Sequence, residues 1–133
     1  MTGRRGTMPS GATMRPSRPT DLSTFYREPG TMLYHIVLFQ PKPDTDPLAW
    51  ERLRADIEAL PLKIAGITAV SWGANVSPEG IDQGYTQGFV MTFIDEAARD
   101  AYLPHPDHLA VIPTIQALSA QTLVYDMPVS VTP

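Results

Sequence analysis

Residues 101–113, AYLPHPDHLAVIP, place Tyr102 upstream of two imidazoles, His105 and His108, with Pro104 and Pro106 bracketing the first. Two histidines three apart invite a metal reading, yet the prolines force His105 into an extended or capping conformation and leave only His108 helical. A zinc site also needs a third ligand, and only the distant His35 is on offer, so no metal is expected. His105 is better read as closing the junction between two helices. His108 falls in the first turn of a helix, where free N–H groups favour a neutral imidazole able to accept a proton. With the phenol of Tyr102 it would pair a base of ordinary pKa about 6.5 with a weak acid of about 10, suited to moving a proton beside a carbonyl.

His35 is the third candidate. It alternates with Leu33, Val37 and Phe39 along an apolar run, where a lone histidine is more often a hydrogen-bonded core residue. If that strand face meets the helices, His35, Gln87 and His108 would project into one largely apolar pocket fit for a small organic ligand. Val37, Phe39 and Phe89 supply its apolar wall.

The elements that position these residues begin near Leu33. The LYHIVLFQ run reads as a first strand stopped by PKPD, since proline cannot donate to a ladder. Asp46 and Pro47 read as an N-cap and first helical residue, and Ala49, Leu53, Ile57 and Leu60 line one face of a helix running to Pro61. ITAVSWGANV and YTQGFVMTFI read as the second and third strands, the latter with Tyr85, Gln87, Phe89, Met91 and Phe93 on one side. Asp95 caps a short helix that Pro104 ends. A further helix starts near Pro106, carries Val111, Ile115 and Leu118, and is kinked by Pro113; QTLVYDM is the fourth strand. The order β α β, β α α β is that of an α+β, ferredoxin-like split βαβ protomer: a four-stranded antiparallel sheet with helices on one face. Ile36, Leu38, Val70, Trp72 and Val90 are assigned to the other face. That face is too apolar for water, which predicts a homodimer through the sheet faces, a dimeric α/β barrel.

Bulk properties narrow the partners. The 133 residues suit one domain, and the lack of cysteine removes disulfides, thiolate-metal sites and a cysteine nucleophile. A reduced, cytoplasmic setting fits. No apolar run reaches the length of a membrane span, so no membrane partner is expected. Residues 1–31 carry five arginines against Asp21 and Glu28, a charge of +3. The remaining 102 residues carry five basic against twelve acidic side chains, −7. An acidic body without a basic stripe argues against nucleic acid. Pro, Gly, Ser and Thr make up 17 of the first 31 residues, which predicts a disordered extension, a domain over 32–127 and a tail over 128–133. Met32 directly precedes the first ordered-looking segment, so the extension also fits a start-site artefact. Asn75-Val76-Ser77 matches a glycosylation acceptor but more simply starts a turn, and Trp50 and Trp72 read as core or interface anchors.

HIVLF, WGANVSPEGIDQGYTQGFVMTF, RDAYLPHPDH and LVYD, taken in order, resemble the stress-responsive α/β-barrel (Dabb) family over about residues 32–127. The resemblance implies a ferredoxin-like protomer that dimerises through its sheets. It extends to polyketide cyclases of the olivetolic acid cyclase type, which close a ring by intramolecular aldol condensation. In that branch the tyrosine and histidine matching Tyr102 and His108 do the acid–base work without a cofactor, and a histidine matching His35 lines the pocket. Gln87 departs from the pattern, standing where that branch has a further histidine. The expected function is cofactor-independent cyclase or lyase-type chemistry on a hydrophobic carbonyl compound. The alternatives are a non-catalytic stress-response binding or scaffold protein, or a monooxygenase on the same barrel.

Overall fold

The computed structural model describes residues 31–130. β1 spans Thr31–Pro41, α1 Pro47–Glu58, a 3-10 turn Leu60–Leu62, β2 Ile67–Ala74 and β3 Gln87–Phe93. α2 spans Glu96–Tyr102, α3 Pro106–Leu109, α4 Ile112–Leu118 and β4 Ser119–Ser130. The strands form one sheet in the order β2-β3-β1-β4, and β3 runs antiparallel to both β1 and β2. This is the ferredoxin-like order expected from the sequence.

Alternation decides which side chains face the helices. On β1, Leu33, His35, Val37 and Phe39 are buried, and on β3, Phe89, Met91 and Phe93. The register sets His35 opposite Met91 and Phe39 opposite Gln87. α1 lays Leu53 and Ile57 onto this face, and Leu60 of the 3-10 turn completes the patch. Burying each such aliphatic side chain contributes roughly 1.5–3 kcal/mol. Two close approaches need glycine. Gly66 sits at φ +94°, and a Cβ there would lie 2.6 Å from the Cβ of Ala98 on α2. At Gly88 a Cβ would lie 2.8 Å from the carbonyl oxygen of Val37 on β1.

The caps follow the sequence. Asp46 accepts from the Leu48 N–H, Asp95 from the Ala98 N–H, and His105 caps α3 by accepting from the Asp107 N–H at 3.1 Å. Asn75 forms the turn expected of it, its side-chain oxygen accepting from the Ser77 N–H.

Several details differ from expectation. Val70 and Trp72 pack against the core on the helix-covered face rather than the open one. The pairing of β2 with β3 shifts between Ile67 and Ala69, and one extra residue exchanges the faces of everything after it. α1 stops at Glu58, three residues short of Pro61. Pro113 does not kink a continuous helix: Ala110 and Val111 break the segment, and the proline lies in the opening turn of α4, where its missing N–H costs nothing. β4 is longer than QTLVYDM. Expectations for residues 1–30 and 131–133 lie outside the described residues.

Candidate active site

Three of the residues singled out for chemistry meet at one end of the sheet. β1 directs His35 beneath the helices, where its ring lies 5.7 Å from that of Tyr102, 5.9 Å from Phe93 and 6.2 Å from Phe89. Tyr102 ends α2 and is buried, edge-on to Phe93 at 5.1 Å. The half-buried ring of His108, on α3, lies 4.1 Å from that of Tyr102. The Pro104-His105-Pro106 junction produces this contact by turning the chain sharply between two short helices.

Two further residues anchor the cluster. Asp126 is on β4 beside β1, and its Oδ1 accepts from His35 Nδ1 at 2.6 Å. Its Oδ2 accepts from Arg99 Nη1, and Arg99 Nε donates to Asp100 at 3.0 Å. Arg99 and Tyr102 are three apart on α2 and share a face, so one helix supplies both the guanidinium and the phenol. Sequence reading missed Asp126 and Arg99. The available signal was a lone carboxylate inside an apolar strand, which must find a cation or a donor to be buried.

The hydrogen bonds fix both tautomers. A carboxylate only accepts, so His35 carries its proton on Nδ1 and its neutral ring leaves Nε2 as a lone-pair acceptor. His108 Nδ1 lies 2.9 Å from the Leu103 carbonyl oxygen, which leaves Nε2 as the acceptor in its neutral form too. Burial holds the His35 pKa below its ordinary 6.5, against the opposing pull of the Asp126 hydrogen bond and charge. Burial, reinforced by the Asp126 charge, pushes the Tyr102 phenol well above its usual 10. Near neutral pH the cluster therefore offers a neutral imidazole at His35 and an un-ionised phenol. Among the described residues nothing accepts the Tyr102 hydroxyl proton and no group of three metal-ligating side chains occurs.

The single pocket expected to hold His35, Gln87 and His108 is divided. Val37 continues the core beside His35, and Phe89 bridges the two ends, 6.2 Å from the His35 ring and 6.0 Å from Phe39. Phe39 and Gln87 lie at the opposite end. Phe39 stacks with Trp72 at 5.5 Å, and Gln87 Oε1 accepts from Trp72 Nε1 at 3.1 Å. Two cavities, about 360 and 430 Å³, open at that end, and neither touches Tyr102 or His108.

Residues 33–129 match the family model of the Stress responsive A/B Barrel Domain, called Dabb. The chain belongs to the Dabb family. A Dabb relative, the stress-response A/B barrel domain-containing protein HS1 of Arabidopsis thaliana, is 35% identical over 75 residues, 56% of this chain and 69% of that protein. Among solved structures, this Dabb chain is similar to a dimeric ferredoxin-like protein from Jannaschia sp. CCS1. The identity is 31% and the TM-score 0.68, over 74% of this chain and 99% of the other. The hydroxynitrile lyase of Passiflora edulis shares the fold at 20% identity and TM-score 0.71, over 78% of this chain and 98% of its own. No helix among the described residues of the Dabb domain is long and apolar enough to cross a membrane.

Proposed function

We propose that this Dabb protein carries out cofactor-independent acid–base chemistry on a small hydrophobic carbonyl compound, as a homodimer. The supporting observation is the packing of the un-ionised Tyr102 phenol between two imidazoles, each with its Nδ1 proton engaged and its Nε2 lone pair free. His108 is the base, because its ring is half exposed and can meet a ligand. Tyr102 donates to the ligand oxygen, and Asp126 with Arg99 holds His35 in place behind the phenol. Val37 and Phe89 give the apolar floor next to His35. Phe39 and Gln87 serve the other end of the sheet.

The dimer reading rests on the uncovered sheet face. Ile36, Leu38 and Val90 point there, and Leu123, Tyr125 and Met127 of β4 are exposed. The 360 Å³ hollow is lined partly by Ile36, Leu38 and Val90 and would be roofed by a second sheet. Light scattering after size exclusion should give twice the chain mass, and Val90→Asp should give the chain mass.

A fluorogenic β-hydroxyketone tests the chemistry. Loss of the hydroxyl proton to the base, cleavage of the Cα–Cβ bond and protonation of the resulting enolate release a naphthaldehyde and a methyl ketone. Turnover above buffer should fall by about 10²-fold or more in His108→Gln and in Tyr102→Phe, with the circular dichroism spectrum unchanged. The competing reading is a non-catalytic binding protein. It is favoured by Tyr102 being only 2% exposed. Absence of turnover selects it, and full turnover in both variants removes Tyr102 and His108 from the chemistry.

A further inference from the structure

We infer that the 430 Å³ cavity at the Gln87 end is a binding site for an organic ammonium ion with an apolar body, separate from the acid–base cluster. The cavity lies between the start of α1 and the adjoining ends of β2 and β3, with Trp50, Trp72, Thr45, Glu51, Arg54 and Gln87 in its lining. The two indoles form a cleft over Phe39, 5.6 and 5.5 Å from its ring. Trp72 stacks on Phe39 at 27° and on Phe89 at 17°.

The polar groups of the lining favour a cation over an anion. Both indole N–H groups are engaged: Trp50 Nε1 donates to Thr45 Oγ1 at 2.9 Å, and Trp72 Nε1 to Gln87 Oε1 at 3.1 Å. Neither is left to bind a carboxylate, and the indoles contribute their π faces, whose quadrupole attracts positive charge. Arg54 is neutralised along the helix by Glu58 at 3.2 Å. Glu51, one turn before Arg54, forms no ion pair among the described residues and leaves a net negative charge at the rim. The chain's net charge of −4 adds a field that draws cations. Aromatic faces, with two carboxylates, Glu51 and Glu58, against the one guanidinium of Arg54, are elements by which proteins hold alkylated ammonium groups.

The chain contains two tryptophans, and both line this cavity, so intrinsic fluorescence reports directly on its occupancy. Phenyltrimethylammonium, benzyl alcohol and benzoate have similar size and differ in charge. The ammonium should quench or shift the emission saturably and bind about tenfold more tightly than either other probe. Its affinity should fall about threefold in Glu51→Gln, an exposed substitution that leaves the fold intact, about tenfold in Trp72→Leu, and not at all in Arg54→Gln. No saturable change with the ammonium up to about 10 mM, equal or tighter binding of benzoate, or an unchanged affinity in Glu51→Gln overturns the proposal. None of these readings depends on turnover at Tyr102 and His108.

Discussion

Replacing Asp126 by Asn isolates what this half-buried carboxylate does. Asn keeps the size and can still accept from His35 Nδ1, but it turns an amide N–H₂ toward Arg99, where Oδ2 now accepts from Nη1. The change removes one charge-assisted hydrogen bond and the negative charge shared by both partners. Hydrogen bonds to charged groups contribute about 1.5–3 kcal/mol, and breaking a fully buried ion pair costs about 3–5. Here the side chains of Asp126 and Arg99 keep 22% and 19% of their exposure, and Arg99 retains Asp100, so the loss should lie near the bottom of these ranges, about 2 kcal/mol. For a domain of this size that is a fall in Tm of roughly 8–16 °C, measured at fixed protein concentration because association raises Tm. Asp100→Asn is the matched control. It removes the same charge beside the same arginine, but from a side chain that is 67% exposed, and should cost less than about 0.5 kcal/mol. If urea unfolding gives equal losses for the two variants, the reasoning that burial makes Asp126 the anchor is wrong.

Stability should also depend on pH through His35. Its folded pKa lies below 6.5 while the unfolded chain titrates near 6.5, so the unfolded state binds more protons in that interval. The contribution is complete above about 6.5 and is lost as pH falls through that value toward the folded pKa. Urea midpoints between pH 8 and 5 should show the decline, and His35→Asn should flatten it. Leu53→Ala, at a fully buried position on α1, should cost about 2–5 kcal/mol with the urea m-value unchanged. Gly66→Ala, which combines a left-handed φ with a collision at Ala98, should cost about 1–3 kcal/mol and lower the midpoint of chemical unfolding.

What was legible in the sequence is what depends on neighbours along the chain. Asp46, Asp95 and His105 act on N–H groups two or three residues ahead, so their types and positions predict their caps. The alternation of His35, Val37 and Phe39, and of Gln87, Phe89, Met91 and Phe93, identifies the buried sides of β1 and β3. What was illegible depends on contacts across the fold. The shift after Ile67 leaves no mark in ITAVSWGANV, yet it decides where Val70 and Trp72 point. Asp126 and Arg99 meet only because β4 lies beside β1 and α2 crosses above it, an arrangement 27 residues of separation do not announce. Alternation also places Gln87 on the correct face without giving its height. It pairs with Phe39 while His35 pairs with Met91, so four residues of strand, roughly 13 Å, separate it from the imidazole.

The extra residue in β2 also shapes the sheet's uncovered side. By turning Val70 and Trp72 inward it leaves Ala69, Ser71 and Gly73 outward, so this edge is a trough of small side chains. The opposite edge, β4, carries Leu123, Tyr125 and Met127 as a ridge. Two copies related by a twofold axis running along the strands would seat each ridge in the other's trough. One inserted backbone unit would thus turn a flat greasy plane into a keyed, self-complementary surface.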